Sequence, residues 1–393
     1  MKKIFLQATV FTAAVLLNGC IGTGLQTTFK GDAGRTVTNS GVATYRNGAA
    51  RAGFVKTAGL AKMNGLKWSF KAGSLFNKVT GTMWIYSSPV VAGGIVYIGS
   101  GGGKLYAIGA DSGELKWSFK SSLYYSGWIN SSPAVADGVV FVGAGDGFLY
   151  ALDAKTGEGL WKFTAKGEVA SSPAVVDGVV YFGDYLGMLY AVDAKTGKTK
   201  WEHDAGQTIF SSPAVAEGLV IVGARDKALH AVDAATGKEK WKFQTGKDVD
   251  STPAIVDGTV YFGSGDGHVY ALNAATGQEK WKYKTMHGVY SSPAVADSVV
   301  YCGSWDGKMY ALDAATGKLA WEFKTGYRVD SAPVVAGPVV YFGSGDSHFY
   351  AVDTKTGKEL WKFKTNKEVR TSPAVLDGMV IFGGEDGNVY ALN

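Results

Sequence analysis

A short phrase, Ser-x-Pro, returns at a fixed interval through most of this chain. Ser-Ser-Pro or a close variant begins at Ser87, Ser131, Ser171, Ser211, Ser251, Ser291, Ser331 and Thr371; the first step is 44 residues and every later one is 40. Trp161, Trp201, Trp241, Trp281, Trp321 and Trp361 keep the same beat, and Trp117 stands one longer step before them. A period of this size marks a unit that cannot bury its apolar face alone and must stack on copies of itself. It overrides the two or three domains that 393 residues would otherwise suggest.

Each unit reads as four short strands. In one copy, Ser131-Ser132-Pro133-Ala134-Val135 is expected to be a strand, with Asp137-Gly138 as the hairpin turn after it. Val139-Val140-Phe141-Val142 is continuously apolar, as in a strand covered on both faces. Gly145-Asp146-Gly147 turns into Leu149-Tyr150-Ala151-Leu152, and Lys155-Thr156-Gly157 turns into Leu160-Trp161-Lys162-Phe163. Three Gly-bearing turns per unit account for most of the 55 Gly, which are about twice the usual share. Four strands in about 40 residues make the blade of a β-propeller.

The chain ends favour a closed ring over an open solenoid. The last unit stops at Ala391-Leu392-Asn393 before its Trp strand, while Leu66-Lys67-Trp68-Ser69-Phe70 stands ahead of the first full unit. If those ends share a blade, the fold is all-β: an eight-bladed propeller over residues 66–393, closed by an N-terminal strand.

Ahead of the repeats lie two further segments. Met1-Lys2-Lys3 and the apolar run Ile4–Leu17 read as a secretory signal over residues 1–19, because the run is too short to span a bilayer. It ends in Leu17-Asn18-Gly19-Cys20, which resembles a bacterial lipobox. That resemblance implies lipidation, palmitate included, at Cys20 and, with Ile21 following, export to the outer membrane. Residues 20–65 carry no repeat; 21–45 are expected to form a flexible tether, and whether 46–65 pack on the propeller is open.

The stretch from third to fourth strand reads Ala-x-Asp-x-x-Thr-Gly-x-x-x-Trp at 151–161, 191–201, 231–241, 311–321 and 351–361, with Asn273 at the Asp position of 271–281 and Gly109 and Ser112 as substitutes in 107–117. This resembles the tryptophan-docking motif of the pyrroloquinoline-quinone (PQQ) propeller repeat family, over residues 66–393. The resemblance implies that Trp68, Trp117, Trp161, Trp201, Trp241, Trp281, Trp321 and Trp361 are structural, each lying on the neighbouring blade where a small Ala leaves room.

The family holds both enzymes and non-enzymes, so the fold does not decide function. Its quinoprotein dehydrogenases bind PQQ and Ca²⁺ at the propeller centre, and their larger members carry an adjacent Cys pair that Cys20 and Cys302 cannot supply. Cys302 falls at a core phase. His203 and His230 take phases held elsewhere by Phe and Tyr and read as packing residues; with His268, His287 and His348 they show no metal-ligand spacing and no nucleophile–base pair. No catalytic residue and no metal site is expected. A net charge of +5, spread along the chain, gives no reason to expect nucleic acid.

Positions that vary between copies of one repeat are not needed to build it. Strand order puts the inter-blade links and the second-to-third-strand hairpins on one face, and variation gathers there. The residue before each Ser-x-Pro runs Tyr86, Asn130, Ala170, Phe210, Asp250, Tyr290, Asp330 and Arg370; hairpin tips add Tyr185, Arg225 and Trp305, and the long links add Phe76, Trp84, Tyr124, Tyr125 and Trp128. Aromatics and Arg on loops of a rigid scaffold compose a binding face, although some of these rings would also serve to plug the channel mouth. Arg370 and Asp330, at one level on adjacent blades, are expected to pair with each other or, alternatively, to hold a polar ligand.

The sequence therefore supports a monomeric, non-catalytic envelope lipoprotein, facing the periplasm and needing no cofactor. In architecture it resembles the lipoprotein subunits of the outer-membrane β-barrel assembly complex, which implies a protein partner at the membrane. The alternative is a periplasmic quinoprotein binding PQQ with Ca²⁺, or another small polar ligand, in the channel.

Overall fold

The computed structural model describes residues 27–30, 36–39, 48–72, 84–121, 127–376 and 378–393. Eight antiparallel sheets stand around a central channel, and the described residues contain no helix. Blades 1 to 7 span Val90–Lys120, Ala134–Thr164, Ala174–Asp204, Ala214–Gln244, Ala254–Lys284, Ala294–Lys324 and Val334–Lys364. Blade 8 comprises Ala374–Leu392 and, as its outer strand, Leu66–Lys71, which pairs Trp68 with Ala391 and Phe70 with Val389. The expected ring closure is therefore observed. Thr27–Lys30 and Thr36–Asn39 form a separate two-stranded sheet.

One expectation is corrected. The innermost strand is only three residues long, Ala134–Ala136 in blade 2, and Ser131-Ser132-Pro133 precedes it. The Pro has no N–H to give a ladder, and the Ser side chains take up hydrogen bonds of their own, described below. The next hairpin demands positive φ at both central residues: Asp137 (φ 49) and Gly138 (φ 76) in blade 2, Asp177 and Gly178 in blade 3.

The second and third strands are buried on both faces, while outer strands alternate. Apolar clusters lie between blades rather than within them: Val169, Phe141 and Leu149 pack with Phe182 and Tyr190 of the next blade. The Trp residues bridge the same junctions. Trp161 donates its indole N–H to Ala194 O (3.1 Å), Trp201 to Ala234 O (2.9 Å) and Trp281 to Ala314 O (2.9 Å). The room for the ring comes from Gly, not Ala. Gly197 (φ +68) has its Cα against Trp161, where an added Cβ would lie 2.7 Å from the indole, and Gly157, Gly237, Gly277, Gly317 and Gly357 meet Trp117, Trp201, Trp241, Trp281 and Trp321 in the same way. The motif alanines such as Ala151 instead pair across the strand with the Trp of their own blade.

Part of the N-terminal region belongs to the propeller. Gly48–Val55 runs along the channel wall, and its carbonyls accept from the inner strands of four successive blades: Ala49 from Val215 N (2.8 Å), Ala50 from Ile255 N (2.9 Å), Ala52 from Val295 N (2.8 Å) and Gly53 from Val335 N (2.9 Å). Phe54–Val55 then adds a parallel fifth strand to blade 7. This satisfies an inner edge that would otherwise face the channel unpaired. Arg51, at φ 59 and fully buried, reaches up the channel and donates to the carbonyls of Ser172 (2.9 Å), Pro173 (2.9 Å) and Pro213 (3.1 Å). The channel is thus stopped from the side opposite the Ser-x-Pro segments.

Candidate functional site at the mouth of the channel

The inner strands bring the eight Ser-x-Pro segments to one level. Their central residues form a belt in which each hydroxyl accepts the backbone N–H of the preceding blade: Ser88 N to Ser132 Oγ, Ser132 N to Ser172 Oγ, Ser172 N to Ser212 Oγ, Ser212 N to Thr252 Oγ1, Thr252 N to Ser292 Oγ and Ser372 N to Ser88 Oγ, all between 2.9 and 3.0 Å. Ala332 interrupts the belt in blade 7. Above it opens a polar cavity of about 190 Å³, rimmed by Tyr86, Asn130, Phe210, Asp250, Tyr290, Asp330 and Arg370. The residues before each Ser-x-Pro thus share one mouth, as expected.

Aromatics line this rim and pack on one another without filling the cavity. Tyr185 contacts Phe210 (ring centroids 4.5 Å apart) and Trp128 (5.8 Å), Tyr290 contacts Trp305 (4.3 Å), and Trp84 contacts Tyr86 (6.0 Å). Arg225 lies 4.0 Å over Phe210 and forms a bidentate pair with Asp250 (3.2 and 3.0 Å). Phe76, Tyr124, Tyr125 and Cys20 fall outside the described residues.

Arg370 and Asp330 do pair, at 3.7 Å, but within a larger network that sequence reading missed. Arg370 also binds Glu368 (2.7 Å) and Glu385 (2.7 Å) and faces the Tyr86 ring, while Arg328 binds Asp330 (3.1 Å) and Glu368 (3.3 Å). Trp305 donates its indole N–H to Asp330. Burial pushes the Asp330 and Glu385 carboxyls up despite these cations. Burial acts on Glu368 too, but there Arg370 and Arg328 prevail and hold it below the usual range.

The donor set does not fit the Ca²⁺ and quinone of the dehydrogenase branch. Ca²⁺ takes six to eight oxygens, several of them carboxylate. Here Asp250, Asp330, Glu368 and Glu385 are each held by Arg. A cavity of about 190 Å³ is also smaller than the ~300–1,000 Å³ usual for cofactor pockets.

Around the mouth, four large apolar side chains stand in solvent: Leu186, Met286, Trp305 and Tyr327, with 63, 84, 36 and 53 % of their surface exposed. Only Trp305 was expected. The signal for Leu186 is a substitution within the repeat. Other blades hold Asp at this phase (Asp146, Asp266, Asp306, Asp346 and Asp386), where it accepts the Tyr hydroxyl four residues on. In blade 3 Asp184 does so from two residues earlier, bonding Tyr190 Oη (2.9 Å), Met188 N and Leu186 N, and this leaves Leu186 to project.

The histidine expectation needs correction. His203 and His230 come from different phases yet meet at the junction of blades 3 and 4, with Glu239 beside them. Elsewhere, His268 and His348 bond the neighbouring Asp266 and Asp346, and His287 stacks on Trp305. Cys302 is buried, as its phase predicts.

Fold and mouth together define an eight-bladed propeller of the PQQ-like repeat class. The family described as outer membrane protein assembly factor BamB matches residues 64–171, 145–288, 244–346 and 284–393, and the chain belongs to that family. No curated protein matches it. Among solved structures it is similar to BamB from Moraxella catarrhalis (20 % identity, TM-score 0.70, covering 84 % of this chain and 99 % of that one). It is similar also to a europium-containing methanol dehydrogenase (17 %, 0.74, 88 % and 96 %) and to a quinohemoprotein alcohol dehydrogenase from Comamonas testosteroni (19 %, 0.74, 89 % and 80 %). At these identities the likeness is one of fold. No helix among the described residues is long and apolar enough to cross a membrane.

Proposed function

We propose that this protein is a non-catalytic lipoprotein of the bacterial envelope, anchored at the outer membrane through Cys20 and facing the periplasm. On this reading the propeller docks a protein partner of the β-barrel assembly machinery. The observation that carries it is the mouth face: four exposed apolar side chains on rigid loops surround a rim of paired charges. That is the composition of a protein-binding surface. Membership of the BamB family supports the choice of partner. The stopped channel and the Arg-held carboxylates support a role without cofactor.

Cross-linking from the mouth face in intact membranes, followed by mass spectrometry, tests the docking. Recovery of an outer-membrane barrel-assembly component is expected; its absence overturns the assignment. The quinoprotein alternative predicts quinone absorbance and dye reduction when PQQ and Ca²⁺ are added to the purified protein, and neither is expected. Labelling with palmitate, lost in Cys20→Ala, tests the anchor.

A further inference from the structure

Seven of the eight blade junctions carry the same pair of aromatic rings. An outer-strand Phe or Tyr meets a third-strand Tyr of the next blade, edge-on in Phe163–Tyr190 (5.2 Å), Phe243–Tyr270 (5.5 Å) and Phe323–Tyr350 (5.4 Å) and tilted in Tyr283–Tyr310 (5.7 Å). At the junction of blades 3 and 4 both rings are replaced together, by His203 and His230. Packing alone gives no reason for two imidazoles at the one junction where each replaces a larger ring.

A carboxylate completes the group. Glu239 Oε2 lies 3.1 Å from His230 Nδ1 and 3.9 Å from His203 Nε2, and all three donor atoms fall within 4.8 Å of one another. His203 Nε2 is buried and has no hydrogen-bond partner, which is costly for an imidazole nitrogen unless something else meets it. The other nitrogen of His230 is oriented from behind: Nε2 lies 3.1 Å from Asp226 Oδ2, and Lys242 holds that carboxylate at 2.6 Å. In the tautomer with Nε2–H donating to Asp226, the Nδ1 lone pair faces Glu239 and His203, the arrangement an ion between them requires. A carboxylate behind a ligating His is the usual arrangement around protein-bound zinc.

We propose that His203, His230 and Glu239 bind a divalent transition-metal ion of the Zn²⁺ type, which clamps blade 3 to blade 4. Two imidazole nitrogens and one carboxylate suit Zn²⁺ and exclude Ca²⁺ or Mg²⁺, which take oxygen ligands. Zn–N and Zn–O distances of about 2.0–2.2 Å put neighbouring tetrahedral donors about 3.3 Å apart, so the present spacing needs only small side-chain movements. Any proton on His230 Nδ1 leaves to solvent as the ion enters. Glu239 is 42 % exposed at its side chain, so the fourth position opens to water.

The repeats supply the control substitutions. His203→Phe and His230→Tyr install the aromatic pair that the other junctions already carry, and so preserve the fold. Titration of the untagged full-length protein with Zn²⁺ by calorimetry, and with Co²⁺ by visible absorption, is expected to show one tight site and a tetrahedral cobalt spectrum. Either substitution is expected to weaken binding at least 100-fold, Glu239→Gln also to weaken it, and Asp226→Asn to weaken it about 10- to 100-fold. Saturating Zn²⁺ should raise the melting temperature of the wild type and not of the variants. No binding by the wild type, or equal binding by the double variant with the melt confirming its fold, would overturn the site. In that case His203, His230 and Glu239 are an inter-blade hydrogen-bond cluster only.

Discussion

The indole N–H of Trp361 donates to the carbonyl of Leu60 at 2.8 Å, across 301 residues of sequence. At the other junctions the acceptor belongs to the next blade, as with Trp321 and Thr354 O (2.8 Å). Leu60 therefore makes the contact that a continuing repeat supplies elsewhere. Its own N–H is taken by the Tyr341 hydroxyl, and Asn64 and Gly65 bond Asn393 a few residues later. The junction beside the closing strand Leu66–Lys71 is thus completed by a segment that contains no repeat.

Trp161→Ala is expected to destabilise the propeller by about 3–5 kcal/mol, through lost burial and the cavity left behind. Gly197→Ala should act from the other side of the same contact, since it adds about 1–2 kcal/mol of left-handed strain and drives a methyl into the indole. Thermal melts of both variants check this, and an unchanged melt for Trp161→Ala removes the docking role.

Arg51→Met should leave three carbonyls in the channel without their donor. A charged hydrogen-bond partner is worth roughly 1.5–3 kcal/mol, so the variant is expected to melt earlier and to be cut by protease within residues 48–65. Arg51→Lys should recover only part, because one ammonium cannot reproduce the fork that serves two blades.

Ala332→Ser is expected to stabilise. It places a hydroxyl where the belt lacks one, facing Ser292 N–H, and should add about 0.5–1.5 kcal/mol. A melt no higher than wild type would mean that Ser292 N–H gains no acceptor from a hydroxyl at this position.

Part of the acid limb of stability should belong to the Asp-x-x-Thr-Gly turns, beside Glu368 and Asp266. Asp153, Asp193, Asp233, Asp313 and Asp353 are each held below the usual carboxylate range by hydrogen bonds from the Thr three residues on. A depressed folded-state value means stability that is present above the unfolded value of about 3.9 and is lost as pH falls through the folded one. Asn273 makes the same bonds with a group that does not titrate. Replacing the five Asp by Asn should make the fall in melting temperature below about pH 4 shallower and leave the melting temperature nearly unchanged at pH 7.

Leu186→Asp, Met286→Gly and Tyr327→Lys each install a residue that other blades carry at that phase. Together they should leave the melt within about 1 kcal/mol of wild type, since exposed substitutions cost little. Partner cross-linking from the mouth should fall sharply. Undiminished capture would move the docking surface elsewhere.

The 40-residue beat made the ring, its closure by Leu66–Lys71 and the level of Tyr86, Asp330 and Arg370 readable, because each follows from strand order alone. Arg51 was not readable: it lies in no repeat, and its partners stand 121 to 162 residues away. His203 and His230 were read one phase at a time, and each alone resembles a packing residue. Their meaning appears only when an outer strand is laid against the third strand of the next blade. Glu368 and Glu385 were missed likewise, since a network around Arg370 draws on a link and a hairpin of different phases.

The path of Gly48–Val55 also decides how the molecule bears load. A pull on the N-terminal end meets four carbonyl bonds on the channel wall and the buried Arg51 before it reaches Leu66–Lys71, the strand whose departure would open the ring. Such a pull would be shared among blades 4 to 7 before it reached the seam, a strain relief between the end that would be tethered and the strand that must stay shut.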